Sequence, residues 1–210
     1  MQSIPEQMKK FFFIWVRPKF FLRTPEEFPA ILILKNPVKS TFISRHDNTL
    51  TMQIAVAGAA EASREEYDAA YAVGRLIAES GAVLISGGLG GVMEAACRGA
   101  REHRGTTVGI ISGTGDGNPY IDIVIRTGLG HGRNVLVAQS GDAMIAVGGK
   151  YGTLSEIAIA IKTGCPVFGL FTWDIPGIVP CKTPEEAVER AVEAARSRGH
   201  GTTISGHVHP

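Results

Sequence analysis

Two glycine-rich turns hold the residues of this chain most able to do chemistry. They are Ser86-Gly87-Gly88-Leu89-Gly90-Gly91 and Val147-Gly148-Gly149-Lys150-Tyr151-Gly152-Thr153. Each follows a short apolar run of strand character, 82–85 and 143–147, and each opens an amphipathic helix, from about Val92 and from about Thr153. A strand, a glycine turn and a helix N-terminus together make an anion site. The glycines let the backbone approach a phosphate, and the free N–H groups and the helix dipole face it. Gly87, Gly88, Gly90, Gly91, Gly148, Gly149, Gly152 and Thr153 are the phosphate- or nucleotide-binding candidates. Two such turns in one small sheet point to a phosphate-bearing small molecule, most simply a nucleotide.

The neighbouring polar residues carry two readings each. Thr153-Leu154-Ser155-Glu156 has the spacing of a capping box, which would make Glu156 structural. A cap requires no run of glycines before it, however, and a carboxylate beside a phosphate site is unfavourable unless it binds a sugar hydroxyl or acts as a base. Glu94 in the first turn of its helix reads as a favourable dipole charge. Cys97 on the same helix reads as a small buried hydrophobe. Arg133-Asn134 follows Thr127-Gly128-Leu129-Gly130-His131-Gly132 at a loop-to-helix junction. Arg133 could pair with a surface acid, or meet a ligand if its loop opens toward the glycine turns. His131 is a weaker contact candidate, and His200, His207 and His209 read as solvated or as an incidental metal chelator. No metal site is expected.

Positioning these residues takes alternating β and α elements. Strands are expected at 53–57, 82–85, 106–111, 122–125, 143–147 and 166–170, with helices at about 64–79, 92–102, 133–140, 153–163 and 184–198. Ser63 with Glu66 forms a capping box for the first helix, and Gly81 stops it. Thr183-Pro184-Glu185-Glu186 starts the last one. Segments 112–120, 126–132 and 173–180 read as loops. Apolar strands separated by helices belong in a single Rossmann-like, doubly wound α/β domain, mainly parallel, with helices on both faces. Ligands of such sheets sit at the carboxyl ends of the strands.

Composition bounds the rest. The chain has 210 residues, 44% of them hydrophobic, and a net charge of +1, too balanced to imply a nucleic-acid partner. Three cysteines, Cys97, Cys165 and Cys181, without CxxC spacing favour a reducing cytoplasm. No apolar run reaches the ~20 residues of a membrane span. The composition changes at Met52. None of the 26 glycines precedes it, and seven of the nine phenylalanines do. Residues 1–51 are therefore set apart as an atypical extension, 52–198 as the nucleotide-binding domain and 199–210 as a flexible tail. The extension is a mis-assigned start with translation beginning at Met52, a loose basic-aromatic segment, or a targeting peptide. The last is weakened by an apolar run, Phe11 to Val16, shorter than the usual ~7–15 residues.

Gly148-Gly149-Lys150-Tyr151-Gly152-Thr153-Leu154-Ser155-Glu156, with one further residue between the glycines, resembles the Pro-Gly-Gly-x-Gly-Thr-x-x-Glu signature of the LONELY GUY (LOG) superfamily. Ser86 to Ala96 resembles its Gly-Gly-Gly-x-x-Gly-x-Met turn. The likeness covers about 52–175. Thr127-Gly128-Leu129-Gly130 to Arg133-Asn134 is most similar to the molybdenum-cofactor carrier branch and its uncharacterised prokaryotic relatives. The superfamily's enzymes hydrolyse the N-glycosidic bond of nucleoside 5′-monophosphates with an arginine and the signature glutamate. The resemblance assigns those catalytic roles to Arg133 and Glu156 and ligand contact to Asn134. Val147 stands where the signature has proline, and Gly130-His131-Gly132-Arg133-Asn134 lacks the Glu and Lys that flank the enzymes' arginine. The resemblance thus implies either a phosphoribohydrolase or a non-catalytic carrier or sensor with molybdenum cofactor as bound cargo. It implies no required cofactor and a homo-oligomer, dimer or tetramer. Lysine decarboxylation, an old label of the superfamily, fails on chemistry. Nothing marks a pyridoxal Schiff-base lysine, and Lys150 lies in a phosphate turn.

Overall fold

The computed structural model describes residues 51–199. The expectations for the N-terminal extension and for the tail with its three histidines lie outside the described residues.

The element order is β1 (Gln53–Gly58), α1 (Arg64–Glu79), β2 (Val83–Ser86), α2 (Val92–Glu102), β3 (Thr107–Ile111), β4 (Ile123–Arg126), a 3-10 turn (Gly130–Gly132), α3 (Arg133–Ser140), β5 (Ala143–Val147), α4 (Tyr151–Lys162), β6 (Val167–Leu170), β7 (Ile178–Pro180) and α5 (Pro184–Gly199). The strands form one sheet in the order β4-β3-β2-β1-β5-β6-β7, and every pair is parallel. The expected doubly wound α/β sheet is thus present.

The central strands are apolar because helices cover both of their faces. Ile54 and Val56 of β1 and Ala143, Ile145 and Val147 of β5 pack with the small, apolar stripes of α1, α2 and α5. The alternate residues, Ala55, Ala57, Met144 and Ala146, meet Val137 and Ala138 of α3 and Ile157 and Ala160 of α4. Helices α1 and α2 cross with their backbones close together. A Cβ at Gly74 would overlap the Ala96 carbonyl, and one at Gly99 would overlap that of Tyr71.

Helix α1 has the expected capping box. The Ser63 side chain accepts from the Glu66 N–H at 3.2 Å, and the Glu66 carboxylate accepts from the Ser63 N–H at 2.8 Å. Most boundaries fall within one residue of expectation, and two differences are larger. β7 falls inside the segment read as a loop. It is a three-residue edge strand ending in Pro180, too short for a period-two pattern. Helix α4 begins at Tyr151, two residues before the expected start, with Lys150 as its extended N-cap.

Candidate functional site: a cleft at the sheet's switch point

Connections leave β1 toward β2 on one side and β5 toward β6 on the other, so the strand order reverses between neighbours β1 and β5. Open α/β sheets place their ligand crevice at that point, outside the carboxyl ends of the strands. A cleft of about 330 Å³ lies there, lined by Gly58, Ala59, Ala60, Glu61, Leu89, Met93, His131, Arg133, Asn134, Lys150, Gly152, Thr153 and Glu156.

One wall is the start of α4. Its N-cap makes no side-chain hydrogen bond. The N–H groups of Tyr151, Gly152 and Thr153 therefore have no partner within the helix, and they carry the positive end of its dipole. The preceding turn is fixed from several sides. The Gly148 N–H donates to the Leu170 carbonyl at 2.8 Å, and the Gly148 carbonyl accepts from Thr172 Oγ1 at 2.7 Å. Gly148 and Gly149 have φ of 55° and 111°, a region costly for residues with a Cβ. Asn134 ties α3 to the same helix start. Its Nδ2 donates to Ser155 Oγ at 2.8 Å, which donates to the Gly152 carbonyl at 2.7 Å.

The capping-box reading of Thr153 and Glu156 is corrected here. With Lys150 at the N-cap, Thr153 and Glu156 fall inside the helix, 3% and 5% exposed. Glu156 instead accepts from Arg133, the first residue of α3, with Nη1 to Oε1 at 3.0 Å. The sequence-remote pair meets because α3 and α4 pack side by side on one face of the sheet.

Burial governs this pair. It pushes the Glu156 carboxyl up to about 7, against the lowering effect of the Arg133 charge and hydrogen bond. It pushes the Arg133 guanidinium down, against the raising effect of Glu156. Desolvation outweighs attraction for both partners, as expected for a buried ion pair. Arg133 is 5% exposed, and its Nε has no hydrogen-bond partner among the described residues. Such an N–H costs about 1–3 kcal/mol unless something accepts from it.

The first glycine turn serves the site indirectly. Leu89 and Met93 line the cleft, whereas Gly87, Gly88, Gly90 and Gly91 are not among its lining residues, nor are Gly148 and Gly149. A Cβ at Gly87 would overlap the Arg133 guanidinium, and one at Gly91 would overlap the backbone of Ala59 and Ala60. The Val92 N–H donates to the Ala59 carbonyl at 3.0 Å. Cys97 is buried, 3.3 Å from Ser86 Oγ, with its thiol pushed up by burial, consistent with the packing role expected of it.

Of the sequence candidates, the structure gathers Arg133, Asn134, Gly152, Thr153 and Glu156 on the cleft, with His131 at its edge. Ala59, Ala60, Glu61, Met93 and Lys150 were not singled out as site residues. The rule that loops after carboxyl strand ends meet at the crevice would have pointed to the loop after β1. Among the described residues, no group of three or more His, Cys, Asp or Glu side chains could hold a metal ion, and no helix is long and apolar enough to cross a membrane.

Fold and cleft together define a Rossmann-like protein with a crevice at its switch point. Residues 51–198 match the model of the SLOG cluster4 family, and the chain belongs to that family. An uncharacterized protein of Archaeoglobus fulgidus is 51% identical over 146 residues, which cover 69% of this chain and 97% of that protein. The molybdenum cofactor binding protein of Rippkaea orientalis is 36% identical, with a TM-score of 0.64, over 67% of this chain and 95% of its own. The Moco carrier protein of Chlamydomonas reinhardtii is 30% identical, with a TM-score of 0.65, over 70% and 99%.

Proposed function

We propose that this protein holds a small phosphate-bearing ligand in the switch-point cleft, and that a phosphorylated pterin of the molybdenum-cofactor type, carried as cargo without covalent change, is the first candidate. The observation that carries the proposal is the pairing of the uncapped α4 start with buried Arg133 on one cleft. Such a helix end supplies several N–H donors and a favourable dipole to a phosphate. Ala59, Ala60, Leu89 and Met93 give the same cleft an apolar side suited to a flat ring. The likeness to cofactor binding and carrier proteins favours the pterin over other phosphates.

A second reading is hydrolysis of nucleoside 5′-monophosphates. It is favoured by Glu156, whose carboxyl is held near neutrality beside Arg133, as a general acid or base requires. Mass spectrometry of ligand retained by natively purified protein, followed by incubation with AMP, separates the two. The carrier reading expects a retained phosphorylated pterin and intact AMP. Release of adenine, lowered roughly 10²–10⁴-fold by Glu156→Gln, would replace it with the hydrolase.

A further inference from the structure

Lys150 and Glu61 face each other at the mouth of the cleft. Lys150 is the N-cap of α4 and stands between the glycines of the second turn. Glu61 lies in the loop after β1. The two loops are brought together because β1 and β5 are neighbours whose last residues, Gly58 and Val147, stand in register. Lys150 Nζ is 3.2 Å from Glu61 Oε2, and the side chains are 75% and 89% exposed.

We propose that this pair is an exchangeable counter-ion latch: Lys150 is the cation that engages an incoming phosphate monoester, and Glu61 is the partner it gives up. The inference rests on the phosphate reading above. Three observations carry it. Arg133, the other cation of the cleft, is buried and already bound to Glu156. Its Nε is buried and has no hydrogen-bond partner among the described residues, so this arginine is held in place by its Glu156 contact and by packing. Lys150 is the cation with freedom to move, because its partner is an exposed carboxylate, and exposed ion pairs are weak and screened. A phosphate monoester brings up to two negative charges and sits against the α4 N–H groups, where the helix field adds to the attraction. Glu61 has only one charge and is 89% exposed, where solvent screens its attraction for Lys150. Exchange of the carboxylate for the phosphate is therefore downhill.

The latch sets a sign that ordinary contact residues would not. Removing the competitor should tighten binding, although Glu61 lines the cleft. AMP and inorganic phosphate are the probes, titrated by calorimetry at fixed ionic strength against the full chain. Glu61→Gln should tighten AMP binding about two- to fivefold, the upper part of the range an exposed ion pair can contribute. Lys150→Met should weaken it about tenfold or more. In the Lys150→Met background, Glu61→Gln should change affinity less than about twofold, because the pair no longer exists to be released. Both side chains are exposed, so neither change threatens the fold. The latch is overturned if Glu61→Gln weakens binding, which would make Glu61 a ligand contact. An equal gain with and without Lys150 would overturn it too, reducing Glu61 to a nearby charge. A wild-type chain that binds neither probe removes the phosphate reading itself, and binding with no response to Glu61→Gln removes the latch alone.

Discussion

The turn after β2 and the turn after β5 have nearly the same composition, yet their glycines answer to different neighbours. After β2, the Arg133 guanidinium and the Ala59-Ala60 backbone occupy the space that side chains at 87 and 91 would need. That turn lets protein approach protein, and through Gly87 it seats the arginine of the cleft. After β5, Gly148 and Gly149 supply φ values that bend the chain, and Gly152 has nothing within 4 Å of where its Cβ would stand. This turn lets the start of α4 face open space. Glycine richness at a strand-to-helix junction can thus serve a buried cation or an exposed helix end, and only the neighbours tell which.

The most severe way to test the contrast is Gly87→Val. The new side chain would displace the Arg133 guanidinium, adding overpacking to the rupture of a buried ion pair. A loss of at least about 3 kcal/mol is expected in denaturant unfolding. A loss below about 1 kcal/mol would show that the arginine has room to move and that Gly87 does not seat it.

Glu156 gives the next effect, and its sign follows from burial. Its carboxyl is raised from an ordinary 4.5 to about 7, so between those values the folded protein binds more protons than the unfolded chain. Its contribution to stability is complete below about pH 4.5 and is lost as pH rises through about 7. The span corresponds to on the order of 3 kcal/mol. Glu156→Gln should therefore flatten the fall in stability from pH 4.5 to 7.5 by up to that amount. If both proteins show the same pH profile, the Arg133 charge holds Glu156 ionised throughout and desolvation is not the dominant cause.

The sheet, the capping box of α1 and the glycine turns were legible in the sequence because each has a local signal: apolar runs, a Ser-x-x-Glu spacing, glycines after a strand. The direct bond from Arg133 to Glu156 was not legible from spacing, although the resemblance placed both residues in one site. The spacing of Glu156 from Thr153 matches a capping box, and only the earlier start of α4 moves both residues inside the helix, where Glu156 meets α3. The further residue between the glycines of the second turn was visible, but what Lys150 faces was not, since Glu61 is brought to it by a β1–β5 pairing that spans many residues. β7 was missed because a three-residue edge strand that ends in proline has neither length nor alternation.

The mildest substitution asks the sharpest question about the second turn. Gly152 is in the first turn of α4, its φ is ordinary, and a Cβ there would project into space bordering the cleft. For the fold, Gly152→Ala should be neutral or slightly favourable, within about 0.5 kcal/mol, since alanine restricts the unfolded chain and suits a helix. For a phosphate seated on the α4 N–H groups, the same methyl occupies the ground the anion needs, and AMP affinity should fall about tenfold or more. Calorimetric titration beside thermal unfolding reads both quantities from one preparation. Unchanged affinity with unchanged stability would place the anion elsewhere in the cleft and remove the distinction drawn between the two turns. A loss of binding with stability intact would establish that Gly152, unlike Gly87, is glycine for the ligand's sake.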